Sequence, residues 1–409
     1  MKRLHDPDNI NSHINRRDFL RAGALVGGAA AAGLTPSGLL AQEKKKASPF
    51  ATDNAPVDPN TIKTNIDTAM AVPKSAIATP GLYPGRVTEV HHPESATGIN
   101  VNPELVPLML TTGMKNLTGA DKEKDAWAAL FKPEDVVGIT PNPVGGRFIG
   151  TTHFMVQAVI KGLESAGVPR SNIIIWDHYE DQLRAWGYSE KDYPGIAQEC
   201  HHYTVKEGEK SVPKGLDRLD MDVFYEADYT LPEDKNPLMY MINHGTKSYY
   251  PKVITQKVDK IINIPVLKHH SRSLATMAMK NLSFAATSNC IRGHDFIDRY
   301  IAETCAFPAI RDKTVLNIME AFRAQYDAGP GFSGKHVWND NRLYLSTDMV
   351  AIDTIGYEVL WKKRVEAGVS KAGEKEAVFK VHDMLVRAEK LDLGIHKSKP
   401  IDHRIVNLT

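Results

Sequence analysis

DVVGITPNPVGGRFIGTTHFMVQAVIKGLESAGVPRSNIIIWDH, residues 135–178, decides the fold. Its first six residues are a short run rich in β-branched side chains, which favours a buried strand. The run stops at Pro141-Asn142-Pro143-Val144-Gly145-Gly146. Residues 152–166 then carry Phe154, Met155, Val159 and Leu163 at helical spacing, and Gly167 ends the helix. Residues 172–176, NIIIW, read as a second buried strand that stops at Asp177-His178. Two strands joined by one helix make a βαβ unit, and such a crossover pairs its strands in parallel.

Outward from this unit the same alternation continues. Residues 86–91 read as a first strand, with helical patterns at 103–114 and 122–131. In the second half, 260–267 is a buried strand, 274–282 a helix, and 314–319 and 342–345 are further strands. Ser346-Thr347-Asp348 supplies cap chemistry for a helix running to Trp361. Asp327-Ala328-Gly329-Pro330-Gly331 is a turn-rich loop. The expectation is an α/β protein: mostly parallel sheet with flanking helices in Rossmann-like layers, as one sheet or as two lobes around a cleft. In open sheets of this class ligands bind beyond the carboxyl ends of the strands. The polar residues Asn142, Asp177-His178, Lys268-His269-His270, Glu320 and 346–348 recur at those ends.

The N-terminus reads as an address. Arg16-Arg17 precedes a weakly apolar Ala/Gly-rich stretch from residue 22 to about 34, with a small residue, Ala41, as the cleavage point. Paired arginines and a mild apolar core make residues 1–41 a twin-arginine signal. The stretch is too short to span a bilayer. Export to the periplasm follows, with the translocase as a transient partner. That route carries folded proteins, so it leaves room for a metal or organic cofactor as well as for rapid folding alone. Residues 42–80, with Lys44-Lys45-Lys46 and five prolines, read as a flexible tether, and 81–409 as the folded domain. Its core is placed at 85–361, with a helical extension over 362–409.

The whole chain carries +1. Its first 41 residues hold five cations and three anions, leaving −1 for the rest, which argues against a nucleic-acid or anionic-membrane binder. Cys200, Cys290 and Cys305 lie too far apart for a C-x-x-C motif, so no iron–sulfur cluster or four-cysteine zinc site is expected.

Four blocks carry a resemblance: VVGITPNP ending at 143, INIPVLKHHSRSLATMAMKNL at 262–282, DAGPG at 327–331 and LYLSTDMVAIDTIGYEVL at 343–360. In these the chain resembles the family termed domain of unknown function 362. Relatives often have lysine where this chain has Thr140, and an aspartate after the third-block strand, where Asn317 and Glu320 are the nearest polar residues. The cluster-binding cysteines of many relatives are absent. In layout the chain is also similar to the nickel-pincer lactate racemases, in which lysine and histidines converge on a cofactor in a cleft; fold-level analogy does not establish function.

The candidate catalytic residues are Lys268, Lys280, His270, Asn281 and Glu320. A lysine in a desolvated cleft can act as base or covalent anchor, or can bind an anion as a plain charge; most lysines simply lie along the surface. Asn142, Thr140, Gly145, Gly146, His153 and Asp348 are candidate ligand-binding residues, though Gly145-Gly146 also reads as a turn and Asp348 as a helix cap. His269 and His294 are candidate metal ligands, yet no histidine pair has H-x-x-x-H spacing, and adjacent histidines on one strand face opposite sides. The expected function is an exported enzyme using Lys/His acid–base chemistry of isomerase type on a small anionic substrate, such as a hydroxy acid or phosphorylated metabolite. The alternative is a non-catalytic protein that binds an anionic ligand or metal.

Overall fold

Twelve strands of the computed structural model join in one sheet. The structure describes residues 58–208, 210–231, 245–371 and 381–409, so the signal and the first part of the tether lie outside it. In chain order the strands are β1 (Arg86–His91), β2 (Val137–Pro141), β3 (Ile173–Tyr179), β4 (Ala197–Glu207), β5 (Lys210–Lys214), β6 (Lys260–Ile264), β7 (Val266–His270), β8 (Leu274–Thr276), β9 (Thr314–Gln325), β10 (Val337–Trp338), β11 (Arg342–Ser346) and β12 (Asp402–Asn407). Across the sheet they run β12-β1-β11-β9-β6-β2-β3-β4-β5, with β7 and β10 also on β9, and β8 on β7. Strands β2, β3, β4, β6, β7 and β9 are parallel, while β5, β8, β10 and β11 run against their neighbours. The expected α/β architecture with a mostly parallel sheet is therefore present.

Alternate residues of the central strands feed two cores. Ile173, Ile175, Ile262 and Ile264 pack on one face, with helices α1 (Leu105–Thr118), α2 (Glu123–Ala128) and α3 (His153–Ser165). Ile174, Trp176 and Ile261 pack on the other, with α4 (Ala278–Ala285), α5 (Ile297–Cys305), α6 (Met349–Glu366) and α7 (Val381–Lys390). Burial on both faces explains why these strands read as continuous apolar runs. Thr152 caps α3 by accepting from the Met155 N–H at 3.2 Å, and Asp348 caps α6 by accepting from Val350 and Ala351.

Several boundaries differ from the sequence reading, each for a visible reason. Residues 58–80 are packed rather than a tether: Ile62 and Ala69 are buried, and Arg311 donates to the Ala69 and Val72 carbonyls. The extension after 361 is helical only in part. It ends in β12, which pairs in parallel with β1 and covers that side of it. The single strand expected over 260–267 is two, because Pro265 lacks an N–H and interrupts the ladder. The helix expected from Leu274 begins at Ala278; Leu274 itself has φ +62° and opens the short strand β8. No disulfide links the three cysteines, which are buried thiols. No helix among the described residues is long and apolar enough to cross a membrane.

The loop after β9 is laced to β7. The Gly329 N–H donates to His269 Nδ1 at 3.0 Å, and the Ser271 N–H donates to the Gly329 carbonyl at 3.2 Å. A Cβ at Gly329 would run into the His269 carbonyl. Gly329→Ala is therefore expected to cost about 2–3 kcal/mol by overpacking against backbone. Urea unfolding checks this; a loss below about 1 kcal/mol would mean that the loop moves aside freely.

Candidate functional site

Lys268, the third of the five residues of β7, has no exposed surface. Its Nζ donates to Asn142 Oδ1 at 2.7 Å and to the Val144 carbonyl at 2.6 Å. Both acceptors belong to the turn that follows β2, so the βαβ unit supplies the socket for a lysine 124–126 residues later. Burial pushes Lys268 down to about 7; the charge of Lys280 adds to this and that of Asp177 opposes it.

A chain of side-chain amides runs from this lysine across the sheet. Asn142 Nδ2 donates to Asn281 Oδ1 at 2.7 Å, Asn281 Nδ2 to Asn263 Oδ1 at 2.8 Å, and Asn263 Nδ2 to Asn317 Oδ1 at 2.9 Å. Asn317 Nδ2 closes the chain on the Ser346 carbonyl at 3.4 Å. The Ser346 carbonyl can only accept, so Asn317 turns its Nδ2 toward it, and each amide back to Asn142 is oriented in turn.

Lys280 and Asn281 lie on the first turn of α4, whose leading N–H groups, Ala278 and Met279, donate to the Asp353 carboxylate at 2.7 and 2.9 Å. Lys280 Nζ sits 3.7 Å from the centroid of the Phe284 ring, a cation–π contact. Burial lowers it to about 8, against the pull of Cys290. The His294 ring meets Phe284 edge-on at 4.8 Å and stacks on His270 at 5.4 Å. His270 Nδ1 accepts from the Arg272 N–H at 3.1 Å, and burial with the nearby lysines holds this imidazole well below its ordinary value. Asp177, at the end of β3, is raised to about 7 by burial, with the His178 N–H and Lys268 opposing. Thus Lys268, Lys280, Asn142, Asn281, His270 and His294 lie close together.

Other candidates are committed elsewhere. Glu320 accepts from the Thr152 N–H at 3.1 Å and the Thr152 hydroxyl at 2.9 Å, at the head of α3; burial raises it to about 7. It is engaged there rather than by either lysine. His153 Nδ1 pairs with the Tyr193 hydroxyl at 2.6 Å and Nε2 with the Trp186 carbonyl at 2.9 Å, so both nitrogens serve packing. Asp348 accepts four backbone N–H groups, from Val350, Ala351, Gly85 and Ile395, which makes it a structural cap. Gly145 and Gly146 have φ +94° and +51° in a turn closed by Gly146 N–H to the Pro143 carbonyl. Thr140 is fully buried, its hydroxyl without a partner among the described residues.

The expected metal pair does not form. His269 accepts from Gly329 and faces Asp327, with Nε2 at 3.5 Å from its carboxylate, while His294 stacks on His270. Strand alternation sends His269 and His270 to different neighbours, and it is His270 that His294 meets. The structure gathers instead His178, His201 and His202, the last two unmarked by sequence reasoning. The His178 ring lies 4.3 Å from His201 and 4.5 Å from His202. Burial holds His178 and His201 well below their ordinary value and brings His202 to about 4. The signal available was a second adjacent histidine pair, Cys200-His201-His202, echoing Lys268-His269-His270.

The family model described as Domain of unknown function (DUF362) matches residues 137–358, and the TAT (twin-arginine translocation) pathway signal sequence matches residues 13–33. The protein is thus exported across the cytoplasmic membrane, handled by the twin-arginine translocase. No curated protein matches the chain. Among solved structures, the lactate racemase apoprotein from Thermoanaerobacterium thermosaccharolyticum is similar, with 14% identity and a TM-score of 0.33 over 67% of this chain and 56% of that one. A structural-genomics protein from Thermotoga maritima is similar at 12% identity and a TM-score of 0.32, over 67% and 60%. The chain spans less than two-thirds of either, and likeness at this level gives no ground for transferring chemistry.

Proposed function

The chain belongs to the family described as domain of unknown function DUF362, and on that premise, with the geometry of its own residues, we propose that it is a periplasmic enzyme moving protons on a small anionic substrate. Lys268 is the base, and Lys280 the cation that holds the substrate's charge beside Asn281. The observation that carries the reading is the socket of Lys268. A neutral amine has two N–H donors, and the socket offers two acceptors, Asn142 Oδ1 and the Val144 carbonyl, leaving the lone pair to take a proton. An ammonium would bring a third N–H that finds no acceptor among the described residues, so the surroundings favour the base form. A base titrating near 7 is matched to work near neutral pH.

One observation favours the alternative, a binder without chemistry. Lys268 has no exposed surface, whereas Lys280 and Asn281 keep 8% and 6%. Capture of an anion at Lys280 needs less opening of the site than proton transfer at Lys268.

The test is hydrogen exchange in D2O. Mature protein is incubated with a panel of 2-hydroxy acids and phosphorylated small acids, and deuterium at the carbon next to the acid group is followed by NMR. Enzyme-dependent incorporation on any member supports the base. Ligand-induced thermal stabilisation with no incorporation on any stabilising compound would replace the enzyme by the binder.

A further inference from the structure

We propose that His178, His201 and His202 form a binding site for one divalent transition-metal ion. One candidate ligand atom from each of the three buried side chains lies within 4.8 Å of the others. Strand pairing builds the cluster: β3 and β4 run in parallel, with Asp177 opposite Cys200 and Tyr179 opposite His202, so His178 falls between the two rings of β4. The three imidazoles hold neither lysine, although Phe284 and Cys290 border both His178 and Lys280, and the proposal does not depend on the proton-transfer reading.

The nitrogens themselves point to a ligand. His178 Nδ1 pairs with the Phe284 carbonyl at 2.8 Å. A carbonyl only accepts, so Nδ1 carries the proton and Nε2 the lone pair, the arrangement by which proteins orient a metal-bound imidazole. That Nε2 has no hydrogen-bond partner among the described residues, nor have both ring nitrogens of His201 and of His202. The Thr287 backbone lies near His201 without meeting hydrogen-bonding geometry. Five buried, unpaired imidazole nitrogens in one cluster are costly in a protein interior, where buried polar groups are normally satisfied. An ion bound by three of them removes much of that cost.

The donor set names the class of ion. Three neutral imidazoles suit Zn²⁺, Ni²⁺, Co²⁺ or Cu²⁺ and are poor ligands for Mg²⁺ or Ca²⁺, which prefer oxygen. Bonds of about 2.0–2.1 Å in a tetrahedral shell set the nitrogens about 3.4 Å apart, so they draw in by up to about 1.4 Å from the 4.8 Å within which they lie. Three protein ligands leave a coordination position for water or another small ligand. Cys290 Sγ, 4.0 Å from His178 Nδ1, is on the side of the ring that faces Phe284 and not among the grouped ligand atoms.

The test uses the mature protein, stripped with a chelator and titrated with Zn²⁺, Ni²⁺ or Co²⁺ alone. One equivalent is expected to bind with a rise in Tm, and X-ray absorption is expected to show three imidazole nitrogens at about 2.0–2.1 Å. His201→Phe and His202→Asn should each weaken binding by more than about tenfold, while His294→Asn leaves it unchanged. Circular dichroism confirms the fold of each variant, and if His201→Phe fails to fold, the wild-type absorption spectrum decides the ligand count. Absence of stoichiometric metal on wild-type protein, a coordination shell without histidine, or unchanged affinity in a folded His201 or His202 variant overturns the site.

Discussion

Lys268→Gln is expected to lose proton transfer by about 10²–10⁴-fold while the fold persists. Glutamine offers two N–H donors, so it can address Asn142 Oδ1 and the Val144 carbonyl much as the neutral amine does, yet it cannot take up a proton. A protein that uses Lys268 only to shape the socket would keep its exchange activity in this variant, and that outcome would remove Lys268 as the base. Stability supplies a second readout, independent of substrate. Lys268 is lowered from about 10.5 to about 7 by burial. Below pH 7 folded and unfolded states both hold the proton, and the cost of burying the charge is borne in full. Between pH 7 and 10.5 only the unfolded state holds it, so stability rises with pH by up to about 1.4 kcal/mol per unit for that proton. Lys280 adds a similar contribution from about 8 upward. Between pH 7 and pH 8 the urea-unfolding free energy of wild type should therefore rise more, or fall less, than that of Lys268→Gln, because Lys280 and the buried carboxyls raised to about 7, Asp177, Glu320 and Asp353, titrate in both proteins. Equal changes in both proteins would mean that Lys268 titrates normally.

The sheet was legible where burial on both faces writes itself as an apolar run. Residues 137–141, 173–176 and 260–264 are such runs, and each became a parallel strand. Strand β4 was not legible, because of AQECHHYTVKE only Cys200, His201 and His202 are buried and the rest alternate among polar groups. With β4 unseen, no reasoning from spacing could set His201 and His202 beside His178. The lysine socket was half legible. Asn142, Lys268, Lys280 and Asn281 stood out as polar residues at strand and helix ends, but the bond that joins Lys268 to Asn142 spans 126 positions and exists only once the sheet order is known. His153, Glu320 and Asp348 stood out for the same reason and turned out to satisfy helix ends and packing. A polar residue at a strand end is thus a good marker of position and a poor marker of role.

Asn263→Leu is expected to destabilise the protein by roughly 3–5 kcal/mol, one of the largest effects available to a shape-conserving substitution here. Asn263 is wholly buried in the middle of the amide chain, and its loss touches three partners at once. Asn281 Nδ2 loses its acceptor at 2.8 Å, Asn317 Oδ1 its donor at 2.9 Å, and the Ala278 carbonyl its donor at 3.0 Å. Each orphaned group costs about 1–3 kcal/mol, and no water-exposed path is open to Asn317, which is also fully buried. The Leu side chain regains part of this through apolar burial, which sets the lower end of the range. Because the chain ends on Lys268, the damage should propagate: Asn281 no longer holds Asn142, and the socket loosens. Asn263→Leu/Asn317→Leu removes both ends of one bond and should recover part of the loss, since replacing both partners by apolar groups leaves fewer unsatisfied atoms. Urea midpoints for the two single variants and the double variant measure the coupling. A loss below about 1 kcal/mol for Asn263→Leu, or strictly additive losses, would show that the amides are independent neighbours and that nothing relays the position of Lys268 across the sheet.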